Sequence, residues 1–172
     1  MKELMALFFG KGRNVRETLE FHSEEEFRLF VNRVPGHLDS IARAMGLQSA
    51  ADLDFRPEQV ARAETLCRAA VKRRREALHP FLAFVCEACR HRFGAGDYIW
   101  TPGECPAGIT NHFPNIPESL NIDIIGLVER LDFEREGAWQ RFLDGMLAFR
   151  ARMEAILAKE RQGTKKTRKS RS

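Results

Sequence analysis

Three cysteines and two histidines lie close together near the middle of this 172-residue chain, between residues 84 and 112. Two residues separate Cys86 from Cys89, a spacing that lets two thiolates reach one metal ion, and fifteen residues separate Cys89 from Cys105. A structural zinc ion takes four ligands, commonly four cysteines, or three cysteines and one histidine. The spacing therefore predicts a zinc site that contains Cys86, Cys89 and Cys105.

The fourth ligand of this predicted site is one of two histidines. His112 lies seven residues after Cys105, on a segment that is free to fold back, whereas His91 lies only two residues after Cys89, where a shared site would be strained. We predict His112 and keep His91 as the alternative. Three cysteines and one histidine would make a closed, structural site without the open position of a catalytic zinc.

The residues around the cysteines also match a known sequence pattern. Phe84 and Phe93 bracket the first cysteine pair, and Gly103 and Pro106 are turn residues on either side of Cys105. With these features, the segment resembles the zinc-ribbon class of small metal modules. The resemblance implies a short β-hairpin from Phe84 to Phe93 around the metal. The sequence departs from the pattern at Gly108, where the second cysteine of the second pair would stand.

Two other interpretations of the cysteines stay open. They can be small buried apolar side chains in a reducing cell, in which case Phe81–Phe93 would continue as a buried helix. A redox site fits less well, because a reactive Cys-x-x-Cys usually opens a long helix and here a glycine-rich segment follows. The secondary structure of this segment is therefore a test of the metal prediction.

Apolar periodicity predicts helices on both sides of the cysteine segment. Ser23, followed by three glutamates, predicts the start of the first helix, and Pro35-Gly36 ends or kinks it before a second short helix that closes at Gly46. Pro57 predicts the start of a third helix that can run to about Leu78.

Within the third helix, Cys67 lies in the apolar row and is interpreted as a core residue. Two more helices are predicted after Pro117, at Leu120–Leu131 and Trp139–Ile156, and Asp132 is a candidate cap for the last one.

These elements predict a mostly α fold, a helical bundle of about five to six helices with a small zinc-ribbon-like insertion, a short β-hairpin, in the middle of the chain. Residues 94–117 form a loop-rich segment that is long for a compact domain unless a metal organises it. The predicted parts are an N-terminal helical part (1–80), the zinc-ribbon-like insertion (81–117), a C-terminal helical pair packed on the N-terminal helices (118–162) and a disordered basic tail (163–172).

The composition, with 44% apolar and 30% charged residues, is that of a soluble globular protein. No apolar run approaches the length of a membrane span, and free cysteines without a secretion signal favour the cytoplasm. The net charge of +4 comes from the tail: five of the 28 basic residues follow residue 163, so 23 remain against 24 acidic residues. The body is therefore close to neutral.

Basic residues suggest contact with nucleic acid. Arg68, Lys72 and Arg75 share one helix face, next to Arg73, and this face is either solvated or a phosphate-binding patch. The predicted nucleic-acid-binding residues are Arg68, Lys72, Arg73, Arg75, Arg90, Arg92, Lys165, Lys166, Arg168 and Lys169.

Catalytic motifs are missing from the sequence, so we predict no enzyme activity. The first hypothesis is a zinc-stapled protein that associates with nucleic acid through the basic helix face and the tail. The alternative is a protein–protein adaptor or assembly subunit that docks through the last helix, where apolar residues step by three and four, with no direct nucleic-acid contact. Packing against its own chain is the default for this apolar row, and a homodimer is possible through Trp139, Phe142, Met146, Phe149 and Met153.

Overall fold

A computed structural model of the chain shows five α-helices and a three-stranded antiparallel sheet within the residues that it describes. The prediction of a mostly helical fold is confirmed. The described residues are 19–73, 78–94, 96–100, 107–111, 120–132 and 134–169.

The elements follow one another with short connections. Two 3₁₀ turns, Ala50–Asp52 and Arg130–Asp132, supplement the helices. The helices are α1 (Glu24–Ala44), α2 (Pro57–Lys72), α3 (His79–Phe93), α4 (Ile124–Glu129) and α5 (Ala138–Lys169); the strands are β1 (Asp97–Trp100), β2 (Ala107–Asn111) and β3 (Leu120–Asp123).

Helix α1 begins where the sequence predicted. The Ser23 hydroxyl accepts a hydrogen bond from the Glu26 amide, 3.2 Å away, and Glu26 in turn accepts from the His22 amide at 2.7 Å. The helix runs through Pro35, so the predicted second helix is its C-terminal half. An interior proline costs about 3 kcal/mol, and burial of apolar side chains on both sides of it offsets that cost.

Helix α3 is the centre of the core and corrects the predicted hairpin. Residues Phe84–Phe93 are helical, and the zinc-ribbon-like hairpin predicted there is wrong. The whole run from Phe81 to Cys86 is buried, and a helix satisfies its backbone hydrogen bonds internally while every side chain reaches an apolar neighbour. Gly94 ends the helix in the left-handed conformation, with φ of 71°.

The small sheet follows α3, in the order β1-β2-β3. Its central strand contains Gly108, the position where a zinc ribbon would have its fourth cysteine. A Cβ atom there would lie 2.8 Å from the carbonyl oxygen of Ile122 on β3, closer than real Cβ contacts. The close approach of the two strands therefore requires glycine at this position.

Strand β3 and helix α4 occupy the segment predicted as one helix, Leu120–Leu131. The first four residues pair with β2, and Asp123 then caps α4 by accepting a hydrogen bond from the Gly126 amide at 3.0 Å. The prediction of a helix is wrong for the strand residues. Ile122 is buried on one face of β3, and a buried apolar residue at this position is compatible with a strand as well as with a helix.

Helix α5 is the longest element, with 32 residues and therefore a length of about 48 Å. It continues to Lys169, so its backbone is helical over most of the segment 163–172 that the sequence predicted as a disordered tail. Four of the seven helical residues in this segment are lysine or arginine, which have good helix propensity, and extending an anchored helix avoids the cost of nucleation.

The first turn of α5 is held by a buried carboxylate on α2. Glu64 is 2% exposed and accepts hydrogen bonds from the backbone amides of Gly137 and Trp139, both at 2.9 Å. Arg68, one turn further along α2, donates to Glu64 and to the carbonyl oxygens of Leu131, Glu134 and Arg135. This pair fixes the connection from the 3₁₀ turn at Arg130–Asp132 to α5.

We expect Glu64→Gln to lower the free energy of unfolding by about 3 kcal/mol, because the substitution leaves the Arg68 guanidinium without its buried counter-charge. Urea unfolding followed by circular dichroism measures the change. Glu58→Gln, at an exposed site in the first turn of the same helix, is the matched control and should cost less than about 1 kcal/mol. Equal losses in the two variants would contradict the role of Glu64.

Candidate functional site

The cysteine pair lies inside the core. Cys86 and Cys89 are one turn apart on α3, and both are fully buried. Burial raises the pKa of the Cys86 thiol well above its usual range, with further contributions from Cys89 and Glu87, and burial raises the pKa of Cys89 to about 12. Both thiols are therefore neutral at physiological pH when no metal binds them.

The described residues contain no group of three or more His, Cys, Asp or Glu side chains arranged to hold a metal ion. Cys105 and His112 lie outside the described residues, and His91 is an exposed residue whose ring lies 5.4 Å from that of Phe55. The full predicted set of zinc ligands stays a prediction, and Cys67 is a fully buried core residue as expected.

We expect Cys86 and Cys89 to resist alkylation by iodoacetamide in the native protein at pH 8, because neither thiol is exposed or ionised. Mass spectrometry of peptides from native and urea-unfolded samples, each with and without a chelator, measures the labelling. Labelling only after unfolding supports buried thiols. Labelling in native buffer once a chelator has removed zinc would contradict this and support the predicted metal site.

Arg90, one of the predicted nucleic-acid contacts, is committed to the fold. It donates to Glu87 at 2.7 Å and to the carbonyl oxygen of Gly96 at 2.8 Å, and its guanidinium carbon lies 5.3 Å from the centre of the Tyr98 ring. The Tyr98 hydroxyl donates to the same Glu87 oxygen at 2.7 Å. This cluster joins the end of α3 to β1 and leaves Arg90 little freedom to bind phosphate.

The predicted basic face of α2 is divided by the structure. Arg68 is turned toward Glu64 and α5, with its side chain 17% exposed, whereas Lys72 and Arg73 are exposed at the end of the helix. Arg75 lies outside the described residues, and Arg92 is half-buried. Of the described members of this face, Arg68 is therefore separated from Lys72 and Arg73, and the predicted nucleic-acid contacts stay a prediction. The four predicted contacts in the tail, Lys165, Lys166, Arg168 and Lys169, lie on the helical backbone of α5.

The apolar row on α5 changes from buried to exposed along the helix. We call this row the seam; it comprises Trp139, Phe142, Met146, Phe149, Met153 and Ile156. Trp139 is 2% exposed and donates to the carbonyl oxygen of Leu127 at 3.1 Å, whereas Phe149 is 39% and Ile156 43% exposed. The first half of the seam packs on its own chain, as predicted by default. Only the second half presents apolar surface to solvent.

Arg150 joins α5 to the end of α3. Its guanidinium donates to the carbonyl oxygen of Phe93, at the end of α3, at 2.8 Å, and to Glu154 at 2.9 Å. We call residues 150–169 the distal half of α5. It carries eight basic residues and two acidic ones, so the net charge that the neutral body lacks is concentrated there.

A second cluster, formed by two histidine rings and a phenylalanine ring, joins the start of α3 to α1. The rings of His79 and His37 are 6.2 Å apart and nearly parallel, and the Phe30 ring lies 5.7 Å from each. Burial lowers the pKa of both histidines; the nearby Arg33 lowers that of His37 further, and His37 does the same for His79. Both imidazoles are therefore neutral in the folded protein near pH 7.

We expect the free energy of unfolding to fall as the pH is lowered below about 6.5, the ordinary pKa of histidine. The unfolded chain then binds protons that folded His37 and His79 do not, so the stabilisation is complete above that pH and is lost below it. Urea unfolding between pH 7.5 and 5 measures the slope.

The double variant His37→Gln/His79→Gln should show a shallower pH dependence. His22→Gln, at an exposed site, should keep the slope of the natural protein. If the double variant keeps the full slope, the two histidines do not carry the pH dependence.

Comparison with known proteins finds no matching family model, no matching curated protein and no matching solved structure. Across the described part of the chain, no helix combines the length and the apolar character that a membrane span requires. Functional inference therefore depends on the residues themselves.

Proposed function

We propose that this protein is a non-enzymatic interaction subunit that docks onto a protein partner through the distal half of α5. The observation that supports the proposal is the seam, whose side chains are buried at Trp139 and exposed at Ile156 on one continuous helix. Single exposed apolar residues are common on protein surfaces, but here Met153 and Ile156 continue a row that has already filled the core.

The helix is anchored before it reaches this surface. Trp139 and Leu143 are buried in the core, Glu64 caps the first turn, and Arg150 binds the end of α3. A helix that is formed before binding loses little conformational entropy when a partner takes it up. An amphipathic helix with anchors at this spacing fits an apolar groove on a partner protein.

The charge of the distal half indicates what kind of groove this is. With eight basic and two acidic residues, the helix is complementary to a groove with an acidic rim. A second copy of the same helix would bring like charges together along the seam, and Trp139 is already buried within its own chain. The proposed partner is therefore a different, acidic protein rather than a homodimer mate.

Nucleic acid is the second candidate partner, because seven of the eight basic residues, all except Arg150, could neutralise phosphates. The folded body adds little to this hypothesis: Arg68 and Arg90 donate to carboxylates and carbonyl oxygens of their own chain. Binding would then depend on charge alone and would be indifferent to the seam.

We expect Met153→Ser/Ile156→Ser to weaken partner binding about 100-fold, because two lost apolar anchors together cost about 3 kcal/mol. The control is Ala151→Ser/Ala155→Ser, two exposed positions on the opposite side of the helix at 100° per residue. Both variants introduce two serines and should unfold at similar temperatures.

Quantitative mass spectrometry of proteins retained from a cell lysate by the three forms identifies partners that only the seam variant loses. Titration of the purified partner then gives the affinities. In parallel, the anisotropy of fluorescent DNA and RNA oligonucleotides is measured with each form. Partners retained equally by all three forms would contradict the docking proposal, and tight, salt-dependent oligonucleotide binding by all three would favour the second candidate.

A further inference from the structure

A cavity lined by residues of α1, α2 and α3 includes no residue of α5 in its lining. It has a volume of about 270 Å³ and opens between α1, the end of α2 and the start of α3. We call it the three-helix cleft. Its size is close to the lower limit of small-molecule sites, which begin at about 300 Å³.

The floor of the cleft is apolar. Ile41, Ala70 and Phe81, one from each of the three helices, are each less than 10% exposed. The exposed rim carries Ala44 on α1 and Ala69 on α2, and these short side chains leave the space between the helices unfilled. Covering this apolar surface with an apolar group of a ligand lowers the free energy by about 25 cal/mol per Å² of surface removed from water.

Two polar side chains line the cleft, and one of them is available. The Ser40 hydroxyl donates to the carbonyl oxygen of Gly36 at 2.9 Å. Arg73 is exposed, follows the last turn of α2, and its side chain has no hydrogen bond or ion pair with any residue that the structure describes. Among the described residues, the Arg73 guanidinium is therefore unpaired at the mouth of an apolar cavity.

The sign of the charge at the mouth depends on Arg73. The C-terminal end of α2 and the N-terminal end of α3 both border the cleft, and their partial charges are opposite in sign. These two contributions tend to cancel, so the full positive charge of Arg73 remains. A guanidinium binds a carboxylate with two parallel hydrogen bonds.

From this geometry we infer that the three-helix cleft binds a small amphiphilic carboxylate, with its apolar chain on the floor and its carboxylate on Arg73. Octanoate has this chemistry and is a suitable probe. Octylammonium has the same chain with the opposite charge, and octanol has no charge. The cleft should bind octanoate best, octanol more weakly and octylammonium least.

Isothermal titration calorimetry of the full chain, below the micelle concentration of each probe, tests the inference. Arg73→Gln should weaken octanoate binding about tenfold and leave octanol binding unchanged. Lys72→Gln is the matched control, because Lys72 immediately precedes Arg73, is exposed and does not line the cleft.

The cavity itself is tested by filling it. Ala69→Leu and, separately, Ala44→Leu should abolish binding of octanoate and octanol, whereas Ala61→Leu, at an exposed position of α2 outside the cleft, should not. Both rim positions are exposed on helices, so leucine is compatible with folding, which circular dichroism verifies.

Several results would overturn the inference. These are the absence of saturable octanoate binding, equal binding of octanoate and octylammonium, or octanoate binding that survives in both leucine variants. The seam variant Met153→Ser/Ile156→Ser should bind octanoate normally. Loss of binding in that variant would place the ligand on α5 and would equally overturn a site in the three-helix cleft.

Discussion

The buried ion pair of Glu64 and Arg68 decides where the longest helix of the protein starts. The Glu64 carboxylate accepts hydrogen bonds from two backbone amides at the start of α5 and from Arg68, and Arg68 donates to three carbonyl oxygens just before that helix. Either charge alone would be costly in this environment, since burying an unpaired ion is strongly unfavourable. Together they satisfy amides and carbonyls that the ends of helices leave without partners. The direction of α5 follows from this arrangement.

The direction of α5 in turn places its first turns in the core and its later turns at the surface. Trp139 and Leu143 fill the core beside α3, and the following turns reach the end of α3, where Arg150 binds the carbonyl oxygen of Phe93. Beyond this point the same apolar periodicity that built the core continues along the helix, and Ile156 in this row is 43% exposed. The exposed part of the seam is therefore a direct extension of a folding pattern, and its position relative to the body is set by the contacts of the first three turns.

Local signals in the sequence predicted much of this fold, and signals that depend on distant residues did not. Ser23, Gly46 and Pro57 mark helix ends as expected, because caps and prolines act through their own neighbours. Cys86 and Cys89 led to the wrong prediction of a hairpin, since two cysteines with the spacing of a metal site also share one face of a helix. Glu64 lies in the apolar row between Val60 and Cys67, with Arg68 one turn later; a charged residue in an inward row was the available signal for a buried pair. Its backbone partners, the amides of Gly137 and Trp139, are more than seventy residues away, so no local pattern could name them.

The arginines show why a count of positive charges did not locate the binding surface. Arg68, Arg90, Arg130 and Arg150 each donate to backbone carbonyl oxygens, most of them near the ends of helices, where the helix leaves these groups unpaired. A guanidinium is well suited to this task, because it stays charged when partly buried and offers several donors in a fixed plane. The body is close to neutral when these arginines are counted with its other charges, and the net positive charge is concentrated in the distal half of α5. The proposed recognition would therefore draw mainly on basic residues other than those that hold the fold together.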